Sequence, residues 1–222
     1  MDEVRLVDKP KGWTSFDVVG KIRADLREKT GQKIKVGHAG TLDPLATGLL
    51  IVLIGKATKR QDEFMKLDKV YEVEMKLGET STTADEEGEK KVISHTDPGE
   101  KAVLAVLRNF QGISKQVPPA YSAIKVNGQR AYKMAREGKE VIIEPRTVNI
   151  HSISDVIYRY PIVKFTTKVS SGTYIRSLVT DIGEKLGTGA YMTNLRRTKV
   201  GKFNLSEALP VSSVIKGLHS AD

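Results

Sequence analysis

The sequence of 222 residues is 39% hydrophobic and carries a formal net charge of +9, so it has enough apolar content for a sizeable core. It contains no cysteine, which excludes disulfides, thiol catalysis and thiolate metal sites, and no apolar run long enough to cross a membrane. None of its histidines lies three or four residues from another, so zinc is not expected. The charge favours nucleic acid or an anionic membrane surface as a partner, but a basic protein with neither partner fits it equally well.

The first predicted element is a helix in FDVVGKIRADLREK (residues 16–29), with Thr14 or Ser15 as its N-cap. The apolar residues expected to face the core recur at helical spacing: Phe16, Val19, Ile22 and Leu26. The uninterrupted apolar run LLIVLI (residues 49–54) then predicts a strand that is covered on both faces.

The remaining elements mix strands and helices. Alternation in VYEVEMKL (residues 70–77) predicts a half-buried strand, which ends in the turn-rich GETSTTADEEGE. KAVLAVLRNF (residues 101–110) predicts a helix, and VKFTTKV (residues 163–169) predicts a second alternating strand. TYIRSLVTDIGEKLG predicts a helix closed by Gly187. Since strands and helices do not alternate regularly, the sequence predicts an α+β fold with helices packed on a sheet.

A basic segment, residues 116–145, lies between the predicted helix at residues 101–110 and the predicted strand at residues 163–169. It contains a Pro-Pro pair, two tyrosines and a series of cations that begins just before it: Lys115, Lys125, Arg130, Lys133, Arg136 and Lys139. Aromatic rings interleaved with cations suit an unpaired RNA strand, through stacking and phosphate contact. The segment alone favours the alternative, a solvated helix and loop without a ligand.

One acid, Asp43, precedes a proline just before the buried strand at residues 49–54. Pro44 restricts Asp43 to an extended conformation, and the glycines Gly37, Gly40 and Gly48 allow close approach of the backbone to another group. Most Asp-Pro pairs are simple turns. A loop at the rim of a rigid core is nevertheless where catalytic groups are usually presented.

Six blocks of the sequence, in this order, resemble the TruB family of tRNA pseudouridine synthases. They are DKPKGWTSFDVV, GHAGTLDPLATGLL, KVYEVEMKLGETSTTADEEG, PPAYSAIKVNGQRAY, SSGTYIRSLVTDIGEKLG and LRRTKVG. The second block is long and highly specific, and the resemblance extends over residues 7–213. It implies the pseudouridine synthase fold, a mixed, largely antiparallel sheet flanked by helices, with the basic segment as an RNA-binding insertion in one catalytic domain over residues 1–222.

The resemblance also implies a reaction. The family converts the T-loop uridine of tRNA (position 55) to pseudouridine after flipping the base out of its stack, without a metal or other cofactor. Asp43 matches the catalytic aspartate, which acts at C1′ as nucleophile or as stabiliser of an oxocarbenium-like centre. Tyr71 matches the tyrosine that stacks on uracil and assists the proton transfer, and Arg176 matches the arginine that pairs with the catalytic aspartate. From the residues alone, a core tyrosine and a surface arginine are the alternatives.

Other residues are assigned to RNA by the same resemblance. His38 matches a histidine that fills the gap left by the flipped base, although a turn-capping histidine is the alternative; Tyr174 and Leu195 match the base pocket. The cations expected to contact phosphates are Lys9, Lys11, Arg196, Arg197 and Lys199, together with Lys125, Arg130, Lys133 and Arg136 of the basic segment. The expected partner is the T-arm stem-loop of tRNA, bound by a cytoplasmic monomer.

Three features depart from the family pattern. Ala39 stands where many relatives have a hydroxyl residue, and Thr82 stands where relatives often have an acid, although Asp85 is retained. The C-terminal RNA-binding (PUA-type) domain common in the family is expected to be absent. Two other functions stay open: a non-catalytic RNA-binding or RNA-folding protein on the same scaffold, and a hydrolase that releases uracil.

Overall fold

The computed structural model describes residues 2–122, 124–126, 128–139 and 141–214. These residues form two compact units. The first combines Met1–Glu72 with Leu195–Asp222, and the second is Val73–Asn194. Among the described residues, no helix has the length and apolar character needed to cross a membrane.

The elements are numbered in chain order. The strands are β1 Glu3–Lys9, β2 Val36–Ala39, β3 Thr47–Ile54, β4 Lys69–Leu77, β5 Glu79–Ser81, β6 Lys90–Val92, β7 Gly112–Gln116, β8 Lys125–Val126, β9 Gln129–Arg130, β10 Arg146–Arg159, β11 Ile162–Val169, β12 Ala190–Val200, β13 Phe203–Asn204 and β14 Leu209–Pro210. The α-helices are α1 Ser15–Thr30, α2 Gln61–Met65, α3 Glu100–Asn109, α4 Ala131–Arg136, α5 Ile175–Leu186 and α6 Val211–Val214, with short 3₁₀ turns at Gly55–Arg60 and Leu205–Glu207.

In the first unit, the strand order is β14-β1-β3-β12-β4, and β2 also pairs with β3. The pairs β1–β3 and β2–β3 are antiparallel, whereas β12–β3 and β1–β14 are parallel. Every residue of β3 after Thr47 is buried, and the two faces of the strand lie in different apolar clusters. The predicted strand with both faces covered is therefore confirmed.

Helix α1 begins one residue earlier than the hydrophobic pattern predicts. Thr14 is its N-cap, and Thr14 and Asp17 form a reciprocal capping box, so Ser15 takes the core-facing position in the first turn. The predicted core position of Phe16 is wrong. Its side chain is 73% exposed, because it lies one residue, about 100°, around the helix from Ser15. Val18 is fully buried in its place.

In the second unit, the strand order is β12-β4-β11-β10-β7. The predicted alternation of β4 and β11 is confirmed, since Val73, Met75, Val163 and Phe165 are all buried. Helix α5 is also confirmed and ends at Gly187, whose φ of 71° is the left-handed conformation of a helix C-cap. The segment predicted as a turn contains β5 and the loop of the β5–β6 hairpin, and β6 follows directly after it.

The long strand β10 has no clear signal in the sequence. Its pairing with β11 shifts register between Ile150 and Ser152 and again between Ser154 and Ile157. Because each bulge reverses which residues face the core, the strand does not show the simple alternation by which β11 is recognised.

We expect Val18→Ala to lower the free energy of unfolding by about 2 kcal/mol, because it removes two fully buried methyl groups and leaves a cavity. Phe16→Ala removes an exposed ring and should lower it by less than about 1 kcal/mol. Urea denaturation of both variants measures the difference. Equal losses would contradict the helix phase described above.

Candidate active site

In the first unit, Asp43 lies in the connection between β2 and β3. The backbone N–H of Ala46 donates to the carbonyl of Asp43 at 3.0 Å, and both Leu42 and Leu45 are buried. The Asp43 side chain is half-buried, so its carboxylate is at the rim of the core, as the sequence predicts for this loop. Ala39 is fully buried in an apolar cluster. This environment suits the methyl group that stands here in place of the hydroxyl residue expected from many relatives.

The first residue of α1 and the segment before it hold Leu42 and Pro44, the residues on either side of Asp43. The Ser15 hydroxyl donates to the carbonyl of Leu42 at 3.1 Å and accepts from its N–H at 2.9 Å. On the other side, the N–H of Gly12 donates to the carbonyl of Pro44 at 2.8 Å. The sequence gives no sign that Ser15 positions the loop, because its partner, Leu42, is distant in the sequence.

Arg197 is buried, and the prediction that it contacts phosphate is not supported. Its side chain is 1% exposed and donates to the carbonyls of Leu49 (2.8 Å), Gly40 (2.9 Å) and Thr41 (3.5 Å). At Gly48 a Cβ atom would lie 2.4 Å from the backbone oxygen of Arg197, so the parallel pairing of β3 and β12 requires this glycine. Arg197 therefore anchors the Asp43 loop through the backbone carbonyls on either side of it.

Lys9 is likewise fully buried and not placed for phosphate contact. Its ammonium donates to the carbonyls of Pro10 (2.9 Å), Trp13 (2.5 Å) and Pro44 (3.4 Å). Burial lowers the pKa of Lys9 to about 8, against the attraction of the Asp43 carboxylate and with the repulsion of Arg197. Two cations that the sequence assigns to the surface thus belong to the support of the loop.

The other predicted cations of this unit do reach the surface. Arg196 donates to the carboxylate of Asp8 at 2.8 Å and to the hydroxyl of Thr47 at 3.2 Å, and its side chain is 36% exposed. Lys11 and Lys199 are exposed. All three cations can reach a phosphate.

His38 lies on β2 and not in a turn, which argues against a capping role. Its ring meets the edge of Phe16 with a centroid separation of 5.4 Å and an interplanar angle of 87°. Burial, together with the nearby Arg197, lowers its pKa, so the imidazole is neutral at pH 7. Its Nδ1 is buried and has no hydrogen-bond partner among the residues that the structure describes.

Tyr71 and Leu195 occupy the neighbouring strands β4 and β12. Both side chains are buried, and Tyr71 lies on the apolar face of β4, as its alternation predicts. A tyrosine at such a position offers an apolar ring and a polar hydroxyl.

In the second unit, Arg176 lies in the first turn of α5 and is buried. Its guanidinium lies 3.6 Å from the carboxylate of Asp85 and donates to the carbonyls of Thr83 (3.1 Å) and Tyr121 (2.8 Å). The surface alternative for Arg176 is therefore wrong. Thr82, which replaces an acid, closes the β5–β6 hairpin instead, since its hydroxyl accepts from the N–H of Glu89 at 3.1 Å.

Tyr174 is the N-cap residue of α5, held by both backbone groups to the side-chain amide of Gln116 at 2.8 and 3.0 Å. The guanidinium of Arg146 lies 4.5 Å from the centroid of the Tyr174 ring. Arg146 was not predicted. A sequence pattern cannot identify it, because the stacking partner is on another element.

The basic segment contains the short hairpin β8–β9 and the short helix α4. Arg130, Lys133 and Arg136 are exposed, and the guanidinium of Arg136 lies 5.6 Å from the centroid of the Tyr132 ring. The side chain of Lys125 lies outside the described residues. The exposed cations with nearby rings suit RNA.

Comparison with known proteins gives the family. Residues 27–175 match "TruB family pseudouridylate synthase (N terminal domain)", and residues 176–220 match "tRNA pseudouridylate synthase B C-terminal domain". A tRNA pseudouridine synthase B of Clostridium acetobutylicum is 46% identical over 96% of this chain and 72% of its own length. One of Bacteroides fragilis is 44% identical over 99% of this chain and 95% of its own length.

Solved structures agree with this. "Crystal Structure of a Cbf5-Nop10-Gar1 Complex" contains a chain that is 32% identical with a TM-score of 0.73, over 96% of this chain and 53% of that one. The predicted α+β pseudouridine synthase fold is thus confirmed. The chain belongs to the TruB family of pseudouridylate synthases. It is an isomerase that acts on uridine in tRNA.

The adjacent arginines of β12 allow a matched test of the anchor. Arg197→Met should lower the free energy of unfolding by about 3 kcal/mol, because it leaves buried carbonyls without their charged donor. Arg196→Met loses a surface ion pair with Asp8 and a hydrogen bond to Thr47, and should lower it by less than about 1 kcal/mol. Urea unfolding of both variants measures this, and equal stability of the two would show that Arg197 does not anchor the loop.

Proposed function

We propose that the protein isomerises the uridine at position 55 in the T-loop of tRNA, with Asp43 as the catalytic residue. The observation that carries the proposal is the support of Asp43. Hydrogen bonds hold the residue before it and the residue after it, while the carboxylate itself is half-exposed at the rim. A fixed backbone with an accessible carboxylate is the arrangement that attack on a bound sugar requires.

The reaction needs one group at C1′ of the ribose. Breaking the C1′–N1 bond leaves positive charge at C1′, and Asp43 either adds to this carbon or stabilises its charge. The freed base then turns, C5 bonds to C1′, the proton leaves C5 and N1 gains a proton. Atoms and electrons balance within the substrate, so no redox cofactor is required by this chemistry.

Four further side chains contribute to the proposed site. Tyr71 stacks on the uracil and its phenol assists departure of the C5 proton, which is supported by its place on the apolar face of β4. Leu195 on the neighbouring strand and Tyr174 complete the apolar surroundings of the base. Arg176 provides positive charge for the reacting carboxylate, as the resemblance to the family implies; its buried guanidinium lies 3.6 Å from the carboxylate of Asp85.

Exposed cations hold the RNA in this proposal. Arg130, Lys133 and Arg136 contact phosphates of the T-arm, as do Lys11 and Arg196, and Lys125 adds to them. The protein is proposed to act as a monomer, since one chain supplies all the residues proposed for the reaction, and in the cytoplasm, where tRNA is available.

Pseudouridine mapping in a tRNA transcript incubated with the pure protein tests the function. Product at position 55 is expected, with release of tritium from uridine labelled at C5. Binding of the transcript without product would favour the non-catalytic RNA-binding alternative, and release of free uracil would favour the hydrolase.

We expect Asp43→Asn to form no measurable pseudouridine while it still binds RNA, because the change removes charge at nearly constant shape. Asp62→Asn, a change of an exposed acid on α2, is the matched control and should keep full activity. The measurements are tritium release and hairpin affinity. Product formation by Asp43→Asn at the wild-type rate would remove Asp43 from the catalytic role.

Replacing Arg130, Lys133 and Arg136 together by glutamine should weaken T-arm binding and reduce its dependence on salt. Each lost phosphate contact should flatten the slope of log affinity against log salt by up to about 0.7–0.9. Affinities measured at several salt concentrations give the slope. An unchanged slope would mean that these cations face solvent in the complex.

A further inference from the structure

Two aromatic side chains of the first unit are exposed close to the Asp43 loop. Phe16 is 73% exposed in the first turn of α1, and Trp13 is 36% exposed in the segment before it. They line a shallow notch of about 480 Å³, together with Gly12, Asp17, Gly20 and Lys21. The Phe16 ring also contacts the His38 ring edge-on. We refer to Trp13, Phe16 and His38 as the aromatic patch.

The aromatic patch is fixed relative to Asp43. Ser15, which lies between Trp13 and Phe16 in the sequence, forms two hydrogen bonds with the backbone of Leu42. The carbonyl of Trp13 accepts from the buried ammonium of Lys9, which also donates to Pro44. A group held on the patch would therefore be held at a set distance from the catalytic carboxylate.

The surroundings of the patch suit a flat group attached to a phosphate. Lys11 is exposed nearby in the sequence, and Lys21, ion-paired with Asp25, is about half exposed. The one acid in the notch, Asp17, accepts from the N–H of Thr14 in the capping box. His38 adds a third aromatic ring, which meets Phe16 edge-on. Aromatic rings beside exposed cations match an unpaired nucleobase attached to a phosphate.

We propose that Trp13 and Phe16 form a stacking surface for an unpaired base of the RNA substrate other than the uridine that reacts. This inference rests on the proposed function, since it takes the substrate to be a tRNA loop. Stacking of a neighbouring base would set the position of the reacting nucleotide, because the patch and Asp43 share one rigid support. Trp13 and Phe16 are positioning residues in this role.

Trp13 is the only tryptophan of the chain, so its fluorescence reports on the patch alone. The Asp43→Asn protein is titrated with a T-arm hairpin and, separately, with a fully paired RNA duplex of the same length. Quenching by the hairpin and little change with the duplex are expected, since only the hairpin offers unpaired bases.

Variants of Phe16 measure the contribution of the second ring. Phe16→Ala should raise the dissociation constant of a labelled hairpin about tenfold, within the range for loss of one base–aromatic stack. Phe16→Leu should weaken binding to a similar extent, since it keeps apolar bulk but has no ring. Ile157→Ala removes an exposed apolar side chain from β10 and should leave binding unchanged.

Several outcomes would overturn the inference. They are no change of Trp13 fluorescence when the labelled hairpin is bound, equal quenching by the duplex, or full affinity in Phe16→Leu. The proposed function is tested separately, by the formation of pseudouridine by the wild-type protein. Quenching by the hairpin without any pseudouridine would support the stacking surface and contradict the proposed enzyme activity.

Discussion

The guanidinium of Arg197 holds the backbone on both sides of the turn that carries Asp43. It sits inside the first unit and bonds carbonyls of Gly40, Thr41 and Leu49, which flank the turn that carries Asp43. The planar guanidinium has several donors at fixed positions, so it can bond these three separated carbonyls at once. A lysine ammonium is a compact charge and would not span the same positions. Close packing of β3 on β12 at Gly48 brings the guanidinium within reach.

The second support comes from the opposite side of the same turn. Lys9 and Ser15 hold Pro44 and Leu42, so that the residues before and after Asp43 each have a separate partner. The buried cation Lys9 also attracts the Asp43 carboxylate. Positive charge in the interior thus offsets the negative charge of Asp43 at the rim of the core.

Sequence patterns predicted those parts of the fold in which the apolar residues follow a single regular spacing. The continuous apolar run of β3 and the alternation of β4 and β11 were sufficient, as was the stripe of α5 with its terminal Gly187. The pattern failed at Phe16, where the N-cap at Thr14 shifts the phase of the helix, and at β10, where bulges break the alternation.

The candidate site divides in the same way. The loop around Asp43 could be recognised because its signal is local. The roles of Lys9 and Arg197 could not, because a cation in a sequence is expected at the surface, and its burial depends on carbonyls contributed by distant residues. The roles of Asp43, Tyr71 and Arg176 in catalysis stay predictions from the resemblance.

The first unit is assembled from two stretches of chain that are far apart in sequence. Val211 and Val214 pack in the same cluster as Val7 and Val18, whereas the second unit is a continuous stretch. On the ribosome, the second unit is therefore complete in sequence before the strand that carries Arg197 has been made. The turn bearing Asp43 lacks its Arg197 partner until that strand has been made, so it is among the last parts of the chain to acquire its shape. Until then the apolar residues of β3 lack part of their cover and are prone to aggregate.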